Sequence, residues 1–265
     1  MRDPRVVITL SPGALPGLVE ALGEAGASVR RVPLLHFEEP AEWGPVDDAL
    51  RRLDEFAAIA LTSPRAAQAF GARLARLLQS HRPAGRVPTP WALGRATAEA
   101  LGGAFGPVRL ASPDPLSGEA RAGQLARELI AAGVGSPVLF PCGDPHRGEL
   151  PDNLRSAGVE VVEITVYRSS LADRAAVEAV WADADFIVAG SPRVVHLLTD
   201  AGQPGERPGL IAIGATTADA ASRRGWPARA VAETPTVKGL VAAVLTCLHS
   251  SSMRTHSGGR LSPLT

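Results

Sequence analysis

Lysine is almost missing from this 265-residue chain: Lys238 is its only one, so the 27 basic residues are nearly all arginine. A phosphate-binding G-x-x-x-x-G-K-[ST] loop is therefore excluded, because Val237 and Gly239 flank that lysine. Schiff-base chemistry would depend on one residue at a predicted helix start. Two cysteines, Cys142 and Cys247, make neither a disulfide framework nor a Cys-x-x-Cys metal pair. The six histidines (36, 81, 146, 196, 249 and 256) lack H-x-H, H-x-x-x-H and H-E-x-x-H spacings, so no metal site and no cofactor is expected. A G-x-S-x-G elbow is absent, and the first turn, 9–15, carries no G-x-G-x-x-G fingerprint. Cys142, between Pro141 and Gly143, reads as a buried structural thiol rather than a nucleophile.

Charge of either sign is not in excess. Acidic and basic residues number 27 each, which argues against a broad basic surface for nucleic acid while leaving a local basic pocket open. No run approaches the roughly 18 apolar residues of a membrane span. The first 13 residues carry no cleavage signature, so a cytoplasmic protein is expected.

What remains is an alternation of short apolar runs with helical patterns. Strands are predicted at 5–9, 28–32, 57–62, 89–93, 108–110, 137–140, 159–164, 184–189, 210–213 and 228–231. Between them lie apolar residues at spacings of three and four, as in Leu125, Leu129, Ile130. Glycines 26, 133, 158 and 225 close several helices. This predicts an α/β protein of two domains, each a parallel five-stranded sheet flanked by helices. An internal repeat supports two domains: Leu61-Thr-Ser-Pro-Arg-Ala66 returns as Ala189-Gly-Ser-Pro-Arg-Val194, and Leu93-Gly-Arg-Ala-Thr-Ala98 as Ile213-Gly-Ala-Thr-Thr-Ala218. Residues 38–45 read as a linker, 83–90 as an exposed loop and 250–265 as a disordered tail.

Ser-Pro at a strand end caps a helix, the hydroxyl taking a free N–H and proline filling the first helical position. Gly-x-x-Thr-Ala opens another helix with exposed amides. Helix N-termini at the carboxyl ends of parallel strands attract anions. Arg65, Arg95, Arg147 and Arg193 sit at or near these turns, and arginine grips carboxylates in bidentate fashion. The pattern points to a cleft for a small polyanion, worked by binding, orientation and charge stabilisation.

Taken in order, these motifs resemble the uroporphyrinogen-III synthase family over residues 5–248. The pieces are 61–66, Gly94-x-Ala-Thr-Ala98, Phe140-Pro-Cys-Gly-Asp144, Val166-Tyr-Arg168, Ala189-Gly-Ser-Pro192, Ile211-Ala-Ile-Gly-x-Thr-Thr-Ala218 and Thr234-Pro-Thr-x-x-Gly-Leu240. The resemblance implies a discontinuous first domain (1–35 with 171–249), a second domain (36–170), and a two-stranded hinge at 33–37 and 165–170. It implies a substrate with eight carboxylates, hydroxymethylbilane, with a possible handover from hydroxymethylbilane synthase. The reaction would lose water and close the ring with inversion of the terminal pyrrole through a spiro intermediate. By the same resemblance Tyr167, the only tyrosine, assists the leaving hydroxyl. Ser63, Thr97, Gly143, Ser191, Thr216 and Thr217 match substrate-contacting positions, beside the four arginines. One departure stands out: many members carry Thr-Arg-Pro after the first strand, where this chain has Thr9-Leu-Ser-Pro12. The competing reading is a non-enzymatic two-domain sensor that closes on a tetrapyrrole or other small polyanion.

Overall fold

A computed structural model of the chain describes residues 3–79, 86–112, 122–202 and 207–256. The chain divides into two compact units, 1–36 with 170–265 and 37–169. It opens with β1 (Arg5–Ile8), α1 (Leu18–Glu24), β2 (Ser28–Arg31) and β3 (Leu35–Glu38). The second unit then holds α2 (Gly44–Arg51), β4 (Ala58–Leu61), α3 (Pro64–Leu77), β5 (Pro90–Ala92), α4 (Arg95–Leu101), β6 (Arg109–Leu110), α5 (Ala122–Ala131), β7 (Val138–Asp144) and α6 (Glu149–Ser156). Strand β8 (Val161–Leu171) leads back into the first unit, which ends with α7 (Arg174–Asp183), β9 (Phe186–Ala189), α8 (Pro192–Asp200), β10 (Gly209–Ala212), α9 (Ala215–Arg223), β11 (Ala230–Val231) and α10 (Val237–His256).

The first unit's sheet runs β11-β10-β9-β1-β2, parallel at every pairing. Its interior strands β1, β9 and β10 are buried on both sides, as in a doubly wound sheet. Alternate residues face opposite layers. Val6, Ile8, Val188 and Ile211 pack with Leu18 and Leu22 of α1 and Leu240 and Val244 of α10. Val7, Ile187 and Leu210 pack with Val177 and Val180 of α7 and Val195 and Leu198 of α8. This period of two is the geometry of a pleated strand.

The second unit's sheet has six strands, β3-β8-β7-β4-β5-β6. On one face Ile59, Leu61, Leu139 and Ile164 meet Phe70 and Leu74 of α3. On the other, Ala60, Val138, Phe140 and Cys142 meet Leu125 and Leu129 of α5 and Leu150 and Leu154 of α6. The small strand residues Ala58 and Ala60 leave room for the helices to approach. α3 and α4 also come close: a Cβ at Gly71 would strike the Leu101 carbonyl.

Three sequence expectations change. The sixth strand, β3, occupies part of the expected hinge segment. Residues 44 and 45 are not linker but the start of α2, since Pro45 falls in the first helical turn, where a missing N–H costs nothing. The backbone of α10 stays helical through His256, into the segment expected to be disordered, because no glycine or proline interrupts 240–256. Residues 257–265 and part of the 83–90 loop, 83–85, lie outside the described residues.

Candidate functional site

The connections decide where a ligand can sit. In the second unit the chain leaves β4 toward β5 on one side, while β7 lies on the other. The crevice beyond such a reversal, at the carboxyl ends of the strands, is the binding position of open α/β sheets. Ser63 follows β4 and Gly143 lies near the end of β7, so these two flank that point. In the first unit the equivalent reversal lies between β1 and β9, flanked by Ser11 and Ser191.

The repeated motifs build the same local structure twice. Ser63 Oγ accepts the Ala66 N–H at 3.1 Å, and Ser191 Oγ accepts the Val194 N–H at 3.4 Å. Gly94 and Gly214 both cap their helices in extended conformation, with no side-chain hydrogen bond. Each Gly carbonyl accepts two N–H groups at 3.1 Å, from Thr97 and Ala98 and from Thr217 and Ala218. Thr97 and Thr217 are therefore third-position helix residues, 4% and 3% exposed, whose amides are already used. Thr216, by contrast, is exposed, as is Arg95 at the start of α4. The open groups of these two turns are thus Thr216 and Arg95 rather than the buried threonines.

Around Tyr167 the second unit assembles several predicted residues. Gly143 and Tyr167 are register partners, one step past an irregularity between Cys142 and Gly143. A Cβ at Gly143 would lie 2.6 Å from the Tyr167 hydroxyl, so only glycine leaves the ring its place. Phe37 meets the Tyr167 ring edge-on at 5.7 Å. The Arg65 guanidinium lies over Phe37, 3.7 Å from its centroid. Arg65 and Tyr167 also line a cavity of about 340 Å³ with Trp43, Arg73 and Arg76. Within it Arg73 is committed to Asp47 through two bonds, at 2.6 and 2.5 Å. That guanidinium holds the Asp47 carboxyl below its usual range.

Arg147 is exposed on the turn after β7. Arg193 is half-buried at the start of α8, beside the Ser191 cap. The sequence reading missed Phe37, which carries Arg65, and Arg31, whose guanidinium donates to the Ala14 carbonyl at 3.0 Å at the turn after β1. A lone arginine ending a strand gives no signal of that contact. Leu10, the residue of the expected departure after β1, is 4% exposed and packs on Gly190.

Burial pushes the Cys142 thiol up to about 12, with the Glu163 and Asp144 charges adding to it. A thiol so protonated is no nucleophile near neutrality. Its neighbours were not expected: His146 and Glu163 place ligand-type atoms within 4.8 Å of its sulfur and of each other.

The sequence model of the family described as uroporphyrinogen-III synthase HemD matches residues 17–242. A curated relative, the uroporphyrinogen-III synthase of Synechococcus elongatus, is 28% identical over 166 residues, 62% of this chain and 60% of that protein's own length. Among solved structures, a mutant uroporphyrinogen III synthase of Thermus thermophilus superposes with a TM-score of 0.69 at 17% identity, covering 94% of this chain and 100% of the other. The uroporphyrinogen-III synthetase of Helicobacter pylori gives 0.57 at 18%, covering 93% and 100%. At those identities the likeness is one of fold. Among the described residues no helix is long and apolar enough to cross a membrane.

Proposed function

Because the chain belongs to the uroporphyrinogen-III synthase family, we propose that it closes hydroxymethylbilane into uroporphyrinogen III, as a cofactor-independent cyclising lyase of tetrapyrrole synthesis. The observation that carries this reading is the placement of Tyr167, seated on Gly143 beside the Phe37–Arg65 pair. A phenol near a cationic side chain suits a leaving hydroxyl on a polycarboxylate. Loss of that hydroxyl leaves a cationic azafulvene. The substituted carbon of the terminal pyrrole then attacks it to give the spiro intermediate, and reopening and reclosure invert the ring.

The substrate also closes unaided, without inversion, so the protein's task is to orient the terminal ring and to favour departure of the hydroxyl. Tyr167 would donate a hydrogen bond to the leaving oxygen and thereby lower the barrier to ionisation. Ser63, Arg65, Arg95 and Arg147 in one unit, and Ser191, Arg193 and Thr216 in the other, would hold carboxylates through guanidinium groups and helix-start amides, while Gly143 would border the substrate beneath Tyr167. Thr97 and Thr217 would shape these turns from within. Two buried cysteines, neither in a disulfide, suit a reducing cytosol, and a monomer receiving substrate from hydroxymethylbilane synthase completes the proposal.

The test is a coupled assay with porphobilinogen, hydroxymethylbilane synthase and this protein, followed by oxidation and separation of the porphyrin isomers. Predominant type III supports the reading. Type I at the no-protein level, from folded protein, replaces it with a non-enzymatic polyanion-binding role.

A further inference from the structure

On the α5/α6 side of the second unit, next in the chain to Gly143 and Arg147, three groups of metal-ligating character meet. Cys142 comes from the end of β7, His146 from the exposed turn that follows, and Glu163 from β8. Each offers one ligand atom, a sulfur, a nitrogen and an oxygen, all within 4.8 Å of one another. His146 Nε2 lies 2.5 Å from Glu163 Oε2, while Arg155 takes the other carboxylate oxygen at 2.5 Å. The imidazole packs edge-on against Phe140. Cys142 Sγ points at the Ile164 carbonyl, 3.6 Å away.

We propose that Cys142, His146 and Glu163 form a binding site for one borderline divalent ion of the zinc or cobalt class. A tetrahedral ion with bonds of about 2.3 Å to sulfur and about 2.0–2.1 Å to nitrogen and oxygen sets its ligands roughly 3.3–3.6 Å apart. The His146–Glu163 separation is shorter than that range, and both lie within 4.8 Å of the sulfur. Withdrawing His146 from Glu163 by about 1 Å brings that pair into the range, and His146 sits on an exposed turn. The mixed sulfur, nitrogen and oxygen donors select against magnesium and calcium, which prefer oxygen alone. A thiolate and a carboxylate neutralise a dication, and the proton leaving Cys142 passes to solvent. Arg155 already orients the carboxylate from behind, as outer-shell partners of metal ligands do. Three protein ligands leave a fourth position for water on the exposed side. The ion would clasp the turn 144–148 to β8 and so steady Gly143 and Arg147; that consequence for substrate rests on the proposed activity, whereas the site itself does not.

Titration of the purified, metal-free protein with cobalt(II) tests it, independently of any turnover. The expected result is one equivalent bound with a thiolate-to-cobalt charge-transfer band in the near ultraviolet, and a raised melting temperature in the loaded protein. His146→Ala, on the exposed turn, should keep the fold by circular dichroism and weaken binding at least about tenfold. Glu163→Gln should do the same, Cys142→Ser should abolish the band, and Cys247→Ser should retain it. No band in the wild type, a band that survives Cys142→Ser, or unchanged affinity in His146→Ala overturns the site.

Discussion

Tyr167 rests on the bare Cα of Gly143, its register partner across β7 and β8. A methyl group there would enter the ring's space, and the tyrosine would have to swing away from Phe37 or the strands part. Gly143→Ala should therefore impair type III formation as severely as a change at Tyr167 itself, at a stability cost of about 1–3 kcal/mol. Chemical denaturation alongside the isomer assay checks this. Normal turnover in Gly143→Ala would mean that the ring's seat is irrelevant to the reaction.

Tyr167→Phe removes one hydroxyl and keeps the packing against Gly143 and Phe37. The rate of type III formation should fall by about 10²–10⁴, the usual worth of a positioned proton donor, with the melting temperature nearly unchanged. An unchanged rate would remove the tyrosine from the chemistry.

The serine caps allow a separation of folding from binding. Ser63→Ala should destabilise the second unit by about 1 kcal/mol, and Ser63→Gly by only a few tenths. If the hydroxyl serves the helix alone, substrate affinity follows that order. If it also meets a carboxylate, both variants raise KM alike, and the glycine variant does so with little loss of stability.

Asp47 and Arg73 join α2 to α3 by a two-pronged pair whose side chains are 14% and 17% exposed. The folded-state acidity of Asp47 is stronger than in the unfolded chain, where it titrates near 3.9. Its stabilisation is thus complete above about pH 4 and fades as pH falls through the lower folded-state value. Asp47→Asn should cost about 1–2 kcal/mol at pH 7. In urea melts the gap from wild type should narrow under acid conditions. A gap independent of pH would assign the loss to packing.

Cys142 and Cys247 are both buried, and burial raises both thiols. In metal-free native protein neither should react with a disulfide reagent near neutral pH over minutes, and both should react in denaturant. Fast labelling of Cys142 in the native state would show that the end of β7 opens readily.

Much of the architecture could be read in advance, because most strands are short apolar runs and several of the helices that follow carry their own start signals. Ser63-Pro64 and Ser191-Pro192 were legible as caps, since capping is local chemistry. Other features depend on contacts between distant segments. Pro45 looked like a break, although the same residue is favoured at a helix start. The turns at Thr97 and Thr217 read as helix starts with exposed amides; the burial of these two threonines follows from which side of the first helical turn faces the sheet. The Cys142, His146 and Glu163 group has no motif spacing. It exists only because β7 and β8 pair in one register and the turn after β7 folds back.

The two units are not equal in the order in which they leave the ribosome. Residues 37–169 form an uninterrupted stretch that can fold as soon as it emerges. The first 36 residues cannot: β1 is an interior strand whose other neighbour, β9, begins at Phe186. At about 5–20 residues per second, Val6, Val7 and Ile8 wait on the order of ten seconds for that partner. During that interval a strand later buried on both faces is open to any passing edge. Early chaperone contact with nascent β1 should therefore matter more for yield than any step in the second unit.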